Sequence, residues 1–158
     1  MVIREIRYRE YAFLNEMLYQ ALFVPRGEKP FPRDIIKKPS LARYIDDFGR
    51  KGDACFVAEQ EGVLCGAAWA RFYSREEMGP EFIDEFTPEL SIALYEQYRG
   101  KGVGTRLLRA LLQNLKDNGV MQAVLSAKKE NRAVNLYKRL GFEIVRENED
   151  TYIMVKAL

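Results

Sequence analysis

Three glycines alternate in Arg99-Gly100-Lys101-Gly102-Val103-Gly104, at the junction between an apolar stretch and a leucine-rich run. Val103, Leu107, Leu108, Leu111, Leu112 and Leu115 recur at helical spacing, so the glycines lie where a strand turns into the start of an amphipathic helix. The first four N–H groups of a helix lack partners inside it, and the helix dipole adds roughly half a positive charge there. Glycine lets backbone approach a ligand closely and adopt unusual dihedral angles. With Arg99 and Lys101 alongside, the physical reading is an anion site suited to phosphate or pyrophosphate. The plain alternative is a glycine-rich turn that holds nothing. Two other phosphate loops fail on spacing: no GxxxxGKS/T string occurs, and Thr105-Arg106-Leu107 after Gly104 breaks the dinucleotide fingerprint GxGxxG.

Other chemistry is narrowed by composition. There is no histidine among the 158 residues, which removes Ser-His-Asp and Cys-His catalysis and the HExxH zinc site. Acid–base work falls to Glu, Asp, Tyr, Lys, Cys or water. With Cys55 and Cys65 as the only soft ligands, no metal site is expected. The net charge of +2 hides segregation: residues 53–98 carry ten acidic and two basic side chains, residues 99–139 two acidic and ten basic. The basic segment suits a polyanionic ligand. A near-neutral total with an acidic middle argues against nucleic acid as partner. No apolar run is long enough to span a membrane, and Met1-Val-Ile-Arg-Glu lacks a secretory apolar core, so a cytoplasmic protein without membrane attachment is expected.

Alternating patterns supply the elements that must position the glycine turn. A strand is predicted over 2–8, a helix over 10–23, and a long loop over 24–39, which holds four of the six prolines. A helix capped by Ser40 is predicted to run to Phe48. Strands 53–60 and 63–72 form a hairpin about Glu61-Gly62. Pairing Gln60 with Val63 puts Cys55 opposite Ala68 and Cys65 opposite Ala58. The sulfurs are then about 10 Å apart along the strand, too far for a disulfide. An acidic loop over 73–88 leads to a strand over 89–95. The long helix spans 103–117 and ends at Gly119. A strand follows over 120–126, then a helix from Asn131 to Leu140 and strands near 142–147 and 151–156. The whole chain, 1–158, reads as one α/β (α+β) domain with a mixed sheet.

The spacing Arg99-x-x-Gly102-x-Gly104 resembles the acyl-CoA signature of the GNAT superfamily of N-acetyltransferases, Arg/Gln-x-x-Gly-x-Gly/Ala. Downstream, Asn131-Arg-Ala-Val-Asn-Leu-Tyr137-Lys-Arg-Leu-Gly141-Phe142 resembles that family's second motif. The resemblance implies a mostly antiparallel sheet of six to seven strands flanked by about four helices. It also implies a V-shaped splay between strands 89–95 and 120–126 that admits acetyl-CoA. Backbone at Ala93, Leu94 and Tyr95 would then hold the pantetheine arm. N–H groups of Gly100, Lys101, Gly102, Val103, Gly104 and Thr105 would cradle the pyrophosphate beside Arg99, and Asn131 would touch the cofactor. Glu96 departs from the pattern, since many relatives have proline after this strand.

The reaction so implied is attack of a primary amine on the thioester through a tetrahedral intermediate. A lysine-like amine has a pKa of about 10.4, so deprotonating it at pH 7 costs roughly 4.6 kcal/mol. Tyr137 matches the family's recurrent tyrosine near the sulfur, and a phenol stays protonated at pH 7, as a donor to the departing thiolate should. Ser126 stands where some relatives carry the basic Glu. Glu89, in Glu89-Leu-Ser-Ile, matches a second arrangement and is the candidate base, directly or through water. Glu59, Glu85 and Tyr73 are weaker alternatives. The five carboxylates of loop 73–88 would attract a cationic acceptor or merely solubilise the loop, and Trp69 and Tyr73 would line the acceptor pocket or fill the core. The acceptor is a small-molecule amine or a peptide. A homodimer, a non-catalytic CoA-binding module and a loop for another nucleotide stay open.

Overall fold

A computed structural model describes residues 1–158. One sheet carries seven strands, β1 (Val2–Glu5), β2 (Ala54–Gln60), β3 (Val63–Arg71), β4 (Glu89–Leu94), β5 (Gln122–Lys128), β6 (Glu143–Glu147) and β7 (Thr151–Ala157), in the order β1-β2-β3-β4-β5-β7-β6. Every neighbouring pair is antiparallel except β4 and β5. The α-helices are α1 (Phe13–Ala21), α2 (Pro39–Ala42), α3 (Val103–Asp117) and α4 (Ala133–Arg139). None is long and apolar enough to cross a membrane.

Strand alternation assigns the two cores. Cys65, Ala68 and Ala70 of β3 face α3, whose Leu107, Leu108, Leu111, Leu112 and Leu115 are all buried. Ala67 and Trp69, one step out of phase, face α1 and pack with Leu14, Met17 and Leu18. The side chains of β3 between the helices are mostly small, and at Gly66 a Cβ would lie 2.1 Å from Leu94 Cδ2 and 3.2 Å from Ala93 O, so a larger residue there displaces the Leu94 side chain. Trp69 is thus a core residue, only 1% exposed, with its indole N–H donating to Tyr44 O at 3.1 Å.

Several boundaries move. The strand predicted over 2–8 ends at Glu5, and the helix predicted over 10–23 is preceded by a 3-10 turn, Tyr8–Glu10, because Glu10 closes back on the Arg7 N–H (2.8 Å) and on Arg4 (2.8 Å). The segment over 24–39 contains a 3-10 turn, Arg33–Lys37. The helix expected from Ser40 to Phe48 is α-helical only over α2, capped at Lys38. The carbonyls that should continue it are taken from outside: Arg43 O accepts from Arg71 Nη1 (3.1 Å) and the Tyr73 hydroxyl (3.0 Å), and Tyr44 O from Trp69. In the hairpin, Gln60 does pair with Val63, but a bulge at Ala58/Glu59 pairs Cys55 with Trp69 and Ala58 with Gly66. Cys65 becomes the unpaired bulge residue. Both thiols are free and buried, in different cores. The strand expected over 120–126 starts two residues later, at Gln122, since Val120 N–H closes the end of α3 on Leu115 O at 3.0 Å.

Arg71 and Asp53 form a buried bidentate pair, with Nε to Oδ1 at 3.0 Å and Nη2 to Oδ2 at 2.8 Å. Asp53 also accepts the N–H groups of Gly49 and Arg50, each at 2.9 Å. Removing one partner of such a pair strands the other charge without water. Asp53→Ala is expected to cost about 3–5 kcal/mol in urea unfolding. A cost below about 1 kcal/mol would show that water reaches Arg71.

Candidate functional site

β4 and β5 share a single register pair, Glu89 with Val124, made by Val124 N–H to Pro88 O at 3.0 Å. Beyond it the two strands carry no ladder, so a V opens toward Leu94. Hydrogen bonding along an antiparallel edge alternates every residue. Tyr95 N–H is donated to Cys65 O at 3.1 Å, on the β3 side, which puts Ala93 on that side as well. The edge facing the V therefore belongs to Ile92 and Leu94. Of the expected set Ala93, Leu94 and Tyr95, only Leu94 presents backbone to the gap. Tyr95 is further used up, since its carbonyl accepts from Tyr98 N–H at 2.9 Å.

That last bond opens a 3-10 turn, Glu96–Tyr98, which forms without the proline that Glu96 replaces. Gly100 (φ +73°) and Gly102 (φ +83°) then reverse the chain into α3, both left-handed and both with open space where a side chain would project. Gly104 differs: it is buried in the first turn of α3 between β4 and α4, where a Cβ would make ordinary contacts, 3.5 Å from Ile92 Cδ1 and 3.5 Å from Leu136 Cδ2. No N–H group from Gly100 to Thr105 is donated to any acceptor in the protein, and Arg106 is the first to close on the helix, at 3.2 Å from Gly102 O. Oriented donors at a helix N-terminus are what an anion needs. Lys101 is exposed. The Arg99 side chain has a second task, with Nε on Leu94 O at 3.1 Å and Nη2 on Gln20 O at 3.4 Å, tying the end of α1 to the end of β4.

Asn131 stands just before α4, where its Oδ1 accepts Ala133 N–H at 2.9 Å and its amide nitrogen makes no bond within the protein. Six residues on, Tyr137 is buried in the α3-side core, edge-on to Phe142 with ring centroids 6.1 Å apart. Its hydroxyl makes no hydrogen bond with the protein, and burial alone pushes its pKa up to about 12. Ser126 is exposed on β5, paired with Ile153.

Glu89 lies on the other face of the sheet. It is 2% exposed, and its Oε1 accepts from Arg43 Nη1 at 3.2 Å. Its Oε2 is the one buried side-chain nitrogen or oxygen without a partner. Burial, then the neighbouring Glu81 carboxyl, push its pKa up to about 8, with Arg43 opposing them. Among the weaker candidates, Glu59 is paired with Arg4 at 3.1 Å, Glu85 accepts Arg75 N–H at 3.0 Å, and the buried Tyr73 donates to Arg43 O. The structure thus places Glu89 and Tyr137 on opposite sides of β4, with no contact between them.

In the acidic loop Glu76, Glu77 and Glu85 are exposed, as a solubilising loop requires, and Glu81 is the exception. Glu77 pairs with Arg50 at 2.9 Å, Asp84 accepts Phe86 N–H (2.9 Å) and the Thr87 hydroxyl (2.8 Å), and Glu81 is 3% exposed against Arg43 and Tyr44. Sequence reading missed Arg43 and Glu81, because nothing local distinguishes them from surface charges. A cavity of about 380 Å³ lies beside the C-terminal end of α3, lined by Phe72, Phe86 and Met121 among others, away from the unpaired amides.

A family model described as the acetyltransferase (GNAT) family matches residues 13–142. An N-alpha-acetyltransferase of Sulfurisphaera tokodaii is 34% identical over 127 residues, 73% of this chain and 75% of that protein. One of Saccharolobus solfataricus is 35% identical over the same coverage. Among solved structures, the PaiA N-acetyltransferase of Thermoplasma acidophilum in complex with coenzyme A superposes with a TM-score of 0.73 at 17% identity, over 99% of this chain and 98% of that one. Its fold is the one described above.

Proposed function

The chain belongs to the acetyltransferase (GNAT) family and is an N-acetyltransferase; we propose that it carries the acetyl group of acetyl-CoA to the N-terminal α-amine of a peptide or protein. The observation that carries the donor half is the uninterrupted row of unpaired N–H groups from Gly100 to Thr105, next to a strand edge that β5 leaves free. The amides would hold the diphosphate, Lys101 would add positive field, and backbone at Ile92 and Leu94 would pair with the amide groups of the pantetheine arm. Bound acetyl-CoA supplies an activated thioester. The α-amine as acceptor is supported by the N-alpha-acetyltransferase relatives.

The protein's own groups then move protons. Glu89 takes a proton from the acceptor ammonium, directly or through water. Near pH 8 its raised affinity matches an α-amine, whose conjugate acid has a pKa of about 7.7–8.0, far better than a lysine at about 10.4. Tyr137, held protonated by burial, donates to the departing sulfur. The proton lost by the amine and the proton gained by the thiol balance.

Tyr137→Phe is expected to lower kcat by about 10²-fold in steady-state assays, with KM for acetyl-CoA little changed, because the ring's packing against Phe142 survives. Unaltered turnover would remove Tyr137 as the acid. The function itself is tested by incubating the protein with acetyl-CoA, peptides with free or blocked N-termini, and small amines, with the products mapped by mass spectrometry. Acetylation at the α-nitrogen is the expected result. Transfer solely to lysine side chains or small amines would overturn the acceptor assignment, and CoA binding without transfer would indicate a non-catalytic module.

A further inference from the structure

Glu81 and Glu89 are the buried carboxyl groups closest in chemistry to the reaction, and one cation serves both. Arg43 Nη1 lies 3.2 Å from Glu89 Oε1 and 3.7 Å from Glu81 Oε1. Both side chains are almost sealed from water, at 2% and 4% exposed. The guanidinium has no freedom to move away. It stacks 4.0 Å above the Tyr73 ring, its Nη2 is bound to Glu77 O at 2.7 Å, and Gly79 presses on it so closely that a Cβ there would sit 2.8 Å from Nη1.

The remaining groups around Glu89 leave its charge uncompensated. Arg71 of β3 is in register with Glu89, but its three guanidinium nitrogens donate to Asp53 and Arg43 O. The Tyr44 hydroxyl, following α2, is donated to Glu81, and the Tyr73 hydroxyl, following β3, to Arg43 O. Arg50 and Glu77 neutralise each other. From β5 the partner is Val124, which is apolar. Two buried carboxylates thus face one guanidinium. Glu81 and Glu89 meet at one nitrogen, and Glu89 Oε2 has no donor. With one guanidinium for two buried carboxyls, the second charge is relieved by a proton held on the pair.

We propose that Glu81 is a positioning residue for Glu89: the two share one proton beneath Arg43, and this sharing sets the pH at which Glu89 can accept a proton from the acceptor amine. The inference rests on Glu89 being the base. Glu81 touches neither donor nor acceptor; it acts through Glu89. A cleft of about 270 Å³ lined by Arg43, Arg50, Arg71 and Tyr73 opens on the far side of the Arg43 guanidinium. A neutral isostere at position 81 removes the like charge and the shared proton together, so Glu89 ionises at lower pH.

The test combines a carboxyl readout with a kinetic one. In carbon-13 NMR of glutamate-labelled wild type, the two carboxyl signals are expected to titrate as a linked pair, with one proton retained to well above the ordinary carboxylate range. In Glu81→Gln, the acid limb of the kcat/KM profile is expected to move down by about 1–2 pH units for the same peptide acceptor, whose own titration cancels in the comparison. Glu81→Asp should restore part of the shift. Both carboxyls losing their protons together below about pH 5 would overturn the shared proton. A Glu81→Gln protein that is slower at every pH with the limb unmoved would show a merely structural role and overturn the proposal. Should Glu89→Gln retain full turnover while the linked titration persists, the base assignment fails, and the kinetic role of Glu81 with it. Because the NMR arm uses wild type, it stands even where a variant does not fold.

Discussion

Glu89→Gln is expected to lower kcat by about 10²–10⁴-fold, the range of a lost general base, with KM for acetyl-CoA nearly unchanged. Glutamine keeps the shape and can still accept from Arg43 through its carbonyl oxygen, but it takes no proton. The donor half is untouched, because Glu89 sits at the closed end of the V, paired across to Val124, while the unpaired amides begin at Gly100. Stability should change in the opposite sense to activity. A carboxyl whose pKa rises on folding contributes stability in full below its unfolded value near 4.5, and that contribution is lost as pH rises through about 8. The melting temperature of wild type should therefore fall relative to Glu89→Gln between these limits and hold a constant offset above them. A variant that is inactive yet more heat-resistant at pH 9 than wild type would separate loss of the base from loss of the fold. A variant with full activity would remove Glu89 from the mechanism.

Gly102→Val is expected to weaken CoA binding by roughly 30- to 1,000-fold while the protein stays folded. Nothing lies within 4 Å of the position a Cβ would take, so collision is not the cause. The backbone is: at φ +83° a β-branched residue is strained by about 1–3 kcal/mol, and relief turns the neighbouring N–H groups away from a shared focus. A hydrogen bond to a charged oxygen is worth about 1.5–3 kcal/mol, so losing one or two accounts for the range. Gly62→Val supplies the control. Gly62 has φ +80° and open space too, but it sits in the β2–β3 hairpin turn, away from the amide row. It should cost similar stability and leave CoA affinity alone.

The parts of the site that could be read from sequence are those written in consecutive residues. The glycine turn, the leucine face of α3 and the Asn131–Tyr137 segment each carry their own spacing, and α3 begins at Val103 and ends at Asp117 as that spacing requires. The splay of β4 from β5 followed from the family resemblance and has its counterpart in the single register pair at Glu89. What escaped depended on phase or on distance along the chain. Whether Ile92 and Leu94 or Ala93 and Tyr95 face the gap is decided by how β4 docks on β3, and a strand pattern is the same in either phase. The bulge at Ala58/Glu59 leaves no mark in the sequence. Arg43, Glu81 and Glu89 meet from three separate segments, so Glu81 looks like one more solvated carboxylate of its loop until the partner 38 residues upstream is known to lie against it. The short α2 has the same origin, since its continuing carbonyls are claimed by Arg71, Tyr73 and Trp69.

Calorimetric titration of CoA into wild type, Gly102→Val and Gly62→Val bears most directly on the anion cradle between Gly100 and Thr105. Saturable one-to-one binding to wild type and Gly62→Val, weakened about 30-fold or more in Gly102→Val, is the result the unpaired amides require. Equal affinity in all three proteins, or no heat with wild type at millimolar CoA, would contradict it.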